Sequence, residues 1–194
     1  VGVSQDTQTY SEYYKQYQGN AAKRMTGGGV LFHGHDVSYS LVLPSSYLNN
    51  LSVKQSYEKI CSFLLSFYES LNLCASYAKD NEGILLSKSN FCQVGYEAYD
   101  IIIQGVKIGG NAQKRTKNMI FQHGSIPLFK TSQSKEFGQS LEDIGVKLSF
   151  DDAIQKLTNA FRQTFDVPLE TSNLNEKEET YLKKLLENPN DSTK

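Results

Sequence analysis

A chain of 194 residues with a formal net charge of −1 carries too little positive charge to hold a nucleic acid by bulk electrostatics. Hydrophobic residues at 39% and aromatics at 11% make a globular composition and argue against intrinsic disorder. Three cysteines, Cys61, Cys74 and Cys92, with no CxxC spacing argue against a disulfide framework or a zinc site, and a reducing, cytoplasmic compartment is expected. No apolar run reaches the ~18 residues of a membrane span, so no membrane partner is expected.

The opening "VGVSQD" lacks the basic start and apolar core of a signal peptide. It reads as the end of a strand, and because it does not begin with methionine, residues before it are expected to be missing. "TQTYSEYYKQYQGN" reads as a short helix closed by Gly19 and Asn20. Residues 22–25 and 30–32 read as strand pieces on either side of three consecutive glycines. In "DVSYSLVLP", Val37, Tyr39 and Leu41 alternate on one face, the pattern of a half-buried strand.

The clearest helix is "SVKQSYEKICSFLLSFYESLNL", with Ser52 as N-cap. Its apolar stripe comprises Val53, Tyr57, Ile60, Cys61, Leu64, Leu65, Tyr68 and Leu71. Cys61 in that stripe and Cys74 just beyond it read as small buried hydrophobes. "YDIIIQG", "VKIGGNAQKR" and "NMIFQHGSIPLF" follow as three closely spaced strands, an antiparallel meander. "SFDDAIQKLTNAFRQTF" is a helix capped by Ser149, with Ile154, Leu157, Phe161 and Phe165 as its buried face. "NEKEETYLKKLLEN" is a last helix. The expected fold is α+β, a mostly antiparallel sheet with segregated helices. One catalytic domain is expected over residues 1–194, with residues 150–194 its helical C-terminal part.

The glycines Gly27, Gly28 and Gly29 admit two readings: a tight hairpin with a bulge, or bare backbone that lets a ligand approach closely. "TGGG" is neither a P-loop nor a dinucleotide fingerprint, because no GK[ST] and no helix follow it. A second cluster places Lys107 beside Gly109, Gly110, Asn111 and Ala112, where small residues leave room for a slim substrate. Lys107 is either an exposed strand lysine or a pocket cation that holds a carbonyl or carboxylate. His33 and His35 would share a face of a regular strand. Only His123 remains as a third ligand, so no metal is expected, and His33 and His123 read as pocket-wall hydrogen bonders.

Taken in order, "RMTGGGVLFH", "SYSLVLP", "KIGGNAQKR" and "FQHGSIPL" resemble the blocks of the lipoate/octanoate–protein ligase and transferase family, the biotin/lipoate A/B protein ligases. "VGVSQD" is similar to the family's strand ending in "GxxQ". The resemblance covers about residues 1–128, more loosely the helices beyond. It implies a fold like the catalytic domain of biotin–protein ligases and a slender tunnel for a medium-length acyl chain. Gly27, Gly28 and Gly29 would line that tunnel, Arg24 and His33 would flank its acyl or adenylate end, and Lys107 would bind the acyl carbonyl. Gly109, Gly110, Asn111, Ala112 and His123 would complete the substrate site.

The family contains two chemistries. Ligases activate free lipoate with ATP and Mg²⁺ as an adenylate. Transferases take octanoyl from acyl carrier protein, hold it as a cysteine thioester and need no cofactor. Both deliver to one lysine of a lipoyl carrier domain, such as the glycine-cleavage H protein or a dehydrogenase E2. Cys92, 15 positions before Lys107, resembles the nucleophile of the cysteine/lysine octanoyltransferases, although Gln93 stands where that type has phenylalanine. "NFCQVGYEAYD" has no Arg-Asn-Asp stretch of the ligase kind, and the chain shows no accessory domain after its helices. The expected function is therefore octanoyl transfer through Cys92 and Lys107. An ATP-dependent lipoate–protein ligase is the alternative, and a non-catalytic binder of lipoyl carriers the third reading.

Overall fold

The computed structural model describes residues 1–6, 21–48, 51–132 and 137–187, and the helix expected in "TQTYSEYYKQYQGN" lies outside them. The alternation in "DVSYSLVLP" produces β1 (Asp36–Pro44): Val37 is buried, Tyr39, Leu41 and Leu43 turn inward, and Ser38, Ser40 and Val42 face out. Antiparallel pairing joins β1 to β6 (Met119–Pro127), and β6 to β5 (Gly110–Arg115), which leaves β5 as an edge strand. A second antiparallel sheet has the order β2 (Ala75–Tyr77), β3 (Ile101–Ile103), β4 (Val106–Lys107). Gln104 and Gly105, both at positive φ (52° and 80°), give the β3–β4 turn the handedness of a tight hairpin.

The expected meander is therefore two sheets, and "VKIGGNAQKR" is not one strand. It breaks at Gly109, which sits at φ 84° with its Cα against Ser125; a Cβ there would stand 2.3 Å from the Ser125 carbonyl oxygen. Lys107 thus ends one sheet and Gly110 begins the other. Residues 1–4, 22–25 and 30–32 are not strands either. Their main-chain groups make single contacts rather than a ladder: Arg24 N–H donates to Val1 O, Val3 N–H to Thr26 O and Val30 N–H to Asn90 O.

Helix α1 (Val53–Glu69) starts from a full capping box: Gln55 N–H donates to Ser52 Oγ, and Ser52 N–H donates back to Gln55 Oε1. It forms the centre of the core. Phe63, Leu64, Phe67 and Tyr68 pack between Val37 and Ile126 of the first sheet, Ile101 and Ile103 of the second, and Leu157 of α2 (Phe150–Phe165). Truncating a buried leucine such as Leu64 would cost about 2–5 kcal/mol. Three expected burials fail. Val53 and Ile154 are exposed, because each lies at the outer margin of its helix stripe, and α2 buries Ala153, Leu157 and Ala160 instead. Cys74 is exposed as well, being already past the end of α1. Helix α3 (Glu176–Glu187) buries no residue. Among the described residues no helix is long and apolar enough to cross a membrane.

Candidate active site

The free edge of β5, the glycine run and the irregular chain from 87 to 100 enclose a cavity of about 200 Å³. Of the residues singled out in the sequence, Gly27, Gly28, Gly29, Cys92, Lys107, Asn111 and Ala112 line it. Two segments more than sixty residues apart are brought together by main-chain bonds: Val30 N–H donates to Asn90 O (2.7 Å) and Cys92 N–H to Val30 O (2.8 Å). Gly29 permits this. A Cβ there would lie 2.5 Å from the Asn90 oxygen and 2.7 Å from the Cys92 nitrogen. Gly27 has open space where its side chain would be, as a cavity wall requires. The run therefore does two jobs: it seats the Cys92 segment and leaves the slot bare.

Gly110 is the residue beside the thiol. A Cβ there would stand 3.3 Å from Cys92 Sγ and 3.9 Å from Lys107 Cε. Lys107 Nζ donates to Cys92 O (2.7 Å) and Gly95 O (2.7 Å) and forms an ion pair with Asp100 (2.6 Å). Both side chains of that pair are almost fully buried. Burial pushes the Asp100 carboxyl up, against the pull of Lys107. Burial also raises the Cys92 thiol, while Lys107 and Arg24 pull it down. The sulfur is thus a buried thiol on which the charges of Lys107 and Arg24 act.

The remaining sequence candidates stand around the cavity rather than in it. Arg24 braces the glycine run: its Nη2 donates to Gly27 O (2.9 Å) and Gly29 O (2.9 Å). His123 Nε2 lies 2.6 Å from Thr26 Oγ1, and burial, then Arg24 and His33, lower its pKa to about 4. Gly109 makes the turn between the sheets. His33 and His35 do not share a face, since no strand runs through them. His33 is exposed with Nδ1 2.9 Å from Asp36 Oδ2, whereas His35 is buried on the edge of Phe137. Among the described residues no cluster of His, Cys, Asp or Glu suits a metal.

Sequence reasoning missed Asp100, Tyr57 and Asp36. Asp100 had a signal, an acid opening the apolar run "YDIII" and so entering the core beside a lysine. Tyr57 was assigned to the helix core, and it lines the cavity. Asp36 is a hub: it accepts from Ser125 Oγ (2.6 Å) and Ser38 Oγ (3.0 Å) as well as lying against His33. Gln93 Nε2 extends that hub through Ser125 Oγ (3.1 Å), which ties it to the residue following Cys92.

An α+β frame holds a glycine-lined slot between two sheets, with a cysteine and a buried lysine at its wall. The chain belongs to the lipoyl protein ligase A/B catalytic domain family, which matches residues 1–169. It is similar to octanoyltransferase LipM of Oceanobacillus iheyensis, 29% identical over 169 residues, covering 78% of this chain and 61% of that protein. It is also similar to octanoyltransferase LipM of Bacillus cereus, 36% identical over 112 residues, 55% of this chain and 40% of that protein. The chain thus spans about two fifths to three fifths of the length of these relatives. In fold it is similar to protein Ta0514 from T. acidophilum with bound lipoic acid (TM-score 0.78, 22% identity, 96% of this chain and 76% of that one). A lipoate-protein ligase A bound with ATP is equally similar (TM-score 0.77, 20% identity, 97% and 76%).

Proposed function

We propose that this chain carries the transfer site of an octanoyltransferase that moves an octanoyl group from acyl carrier protein, through a Cys92 thioester, to the lysine of a lipoyl carrier domain. The observation that carries the reading is the placement of Cys92 Sγ on the wall of the slot, against Gly110 and next to the Lys107–Asp100 pair. The similarity to the LipM octanoyltransferases supports it. The likeness to an archaeal bi-partite lipoate protein ligase studied with its E2 lipoyl domain supports a lipoyl carrier as acceptor through the shared fold.

In the first step the Cys92 thiol loses its proton and the thiolate attacks the donor's thioester carbonyl carbon. A C–S bond forms to Cys92. The carbonyl electrons move to oxygen, then return as the donor C–S bond breaks. The leaving pantetheine thiolate takes up the proton. Lys107, held against Asp100, stabilises the negative charge that appears first on sulfur and then on oxygen. Main-chain N–H groups of β5, an edge strand whose Asn111 and Ala112 line the slot, would add oxyanion donors. In the second step the carrier lysine, as a free amine, attacks the acyl-Cys92 carbonyl. A C–N bond forms, the C–S bond breaks, and the amine proton passes to the departing Cys92 sulfur. Transfer consumes no ATP and needs no cofactor or metal.

The test is intact mass after mixing the protein with octanoyl-acyl carrier protein in the absence of ATP. One added octanoyl group, removed by hydroxylamine and absent in Cys92→Ala, is the expected result. No gain, with formation of lipoyl-AMP from lipoate, ATP and Mg²⁺ instead, would replace this reading with a ligase and leave Cys92 without a role in acyl transfer.

A further inference from the structure

We infer that Tyr57 is the stop at the far end of the slot and sets the acyl chain at about eight carbons. The inference rests on the acyl-transfer reading for the identity of the ligand, and it adds the residue that selects its length.

The slot runs beside β5. At one end Gly110 faces Cys92 Sγ. At the other the Tyr57 hydroxyl lies by the backbone of Gln113, and both residues line the cavity. From Gly110 to Gln113 are three strand steps, about 10 Å at ~3.3 Å each. An extended octanoyl chain spans seven C–C bonds from carbonyl carbon to methyl, about 9 Å at tetrahedral geometry. The two lengths agree to within one methylene. A dodecanoyl chain would overrun Tyr57 by about 4 Å by the same reckoning.

The Tyr57 ring is braced and does not swing aside freely. It stacks on Tyr99 with centroids 5.1 Å apart and planes 12° apart. Tyr99 in turn meets the edge of Tyr77 at 5.7 Å. The amide and guanidinium groups at this end have partners already. Gln113 Oε1 accepts from Arg115 (3.0 Å), Gln113 Nε2 donates to Gln122 Oε1, and Arg115 also reaches Ser56 Oγ. A methyl terminus can therefore rest against the ring without leaving any of these donors or acceptors unpaired.

The experiment measures dissociation constants of free saturated fatty acids, from butanoate to tetradecanoate and below their micellar concentrations, by calorimetry. It compares the wild-type chain, Tyr57→Phe and Tyr57→Ala. Affinity should rise about fourfold per methylene up to eight carbons and then stop rising. Tyr57→Phe, which keeps the ring, should give the same optimum. Tyr57→Ala should move the optimum to ten or twelve carbons and bind dodecanoate at least tenfold more tightly than wild type does. A wild-type profile with no break near eight carbons, or a Tyr57→Ala optimum still at eight, overturns the inference. If Tyr57→Ala does not fold, Tyr57→Leu and the wild-type profile decide the matter on the same criteria. Binding of a free acid needs no thioester. A missing octanoyl-Cys92 adduct alongside a shifted length profile would count against the transfer reading alone, and the converse against the stop alone.

Discussion

Among the described residues two carboxylates are buried, Asp36 and Asp100, and they are kept there in opposite ways. Asp100 is closed in with Lys107, both side chains nearly inaccessible, and burial raises its pKa even with an ammonium 2.6 Å away. Asp36 is as deeply set, yet its partners are the hydroxyls of Ser125 and Ser38 and an exposed imidazole. Burial pushes Asp36 up too, but the hydrogen bonds, with the charge of His33, outweigh it and hold the carboxyl at about 2. A fully enclosed ion pair is an expensive way to build a core, since well-packed apolar residues are usually no worse. Asp36 needs no such account: it knots the turn after the glycine run to β1 and β6. The contrast is between a costly enclosed pair at the cavity wall and a carboxylate that ties a turn to two strands.

The sharpest way to break the comparison is to remove one cation. Lys107→Met leaves Asp100 buried and unpaired and should cost about 3–5 kcal/mol in denaturant unfolding. The double variant Lys107→Met/Asp100→Leu should recover most of that stability and none of the octanoyl-enzyme formation. Recovery of activity in the double variant would show the pair to be structural.

The next effect is a pH dependence at Asp36. Its folded pKa lies below the unfolded value, so its contribution is fully present above about pH 4 and disappears as pH falls through 2. Asp36→Asn should therefore lose about 1–2 kcal/mol at pH 7 after allowance for screening, and should converge with wild type below about pH 2. His123 adds a second acid-sensitive window in the same direction. A histidine held neutral with a pKa of about 4 stabilises above its unfolded value near 6.5 and ceases to as pH falls to 4. Thermal melts of His123→Asn should be flatter than wild type between pH 6.5 and 4.

The smallest effect belongs to His33, whose side chain is 56% exposed. His33→Ala should change stability by less than about 1 kcal/mol. It should leave formation of the octanoyl-enzyme within about threefold, because the imidazole turns toward Asp36 and not into the slot. A loss of a hundredfold or more in that single-turnover assay would move His33 back into the substrate site.

The ordered glycine blocks, the capped helix and the alternating β1 strand were legible because each follows from local chemistry. Ser52 and Gln55 cap α1 whatever the rest of the chain does, and period-two alternation in "DVSYSLVLP" admits one inward face. Lys107, Cys92, Asn111 and Ala112 were found by their neighbours in the chain and by likeness to a family, and they do meet at the slot. Asp100 was not found, since a lone acid before an isoleucine run carries no label saying which cation it will face. Tyr57 packs against the core as its helical period says, and it also lines the cavity, which the period does not say. His33 and His35 were given one face on the premise of a strand, and the positive φ of Gly34 between them rules that strand out.

By itself the sequence determined helices α1, α2 and α3 and strands β1, β3 and β6, where α1 and α2 begin, and that bare backbone sits at residues 27–29 and 109–110. Those are consequences of caps, periodicity and the absence of Cβ atoms, all within reach of a few neighbouring residues. Only the tertiary structure decided that the chain changes sheets at Gly109, that Lys107 pairs with Asp100 close to Cys92, and that Tyr57 of α1 joins them at the cavity wall. Each of those depends on segments far apart in the chain closing on one another, and such distances are set by how the two sheets pack around α1.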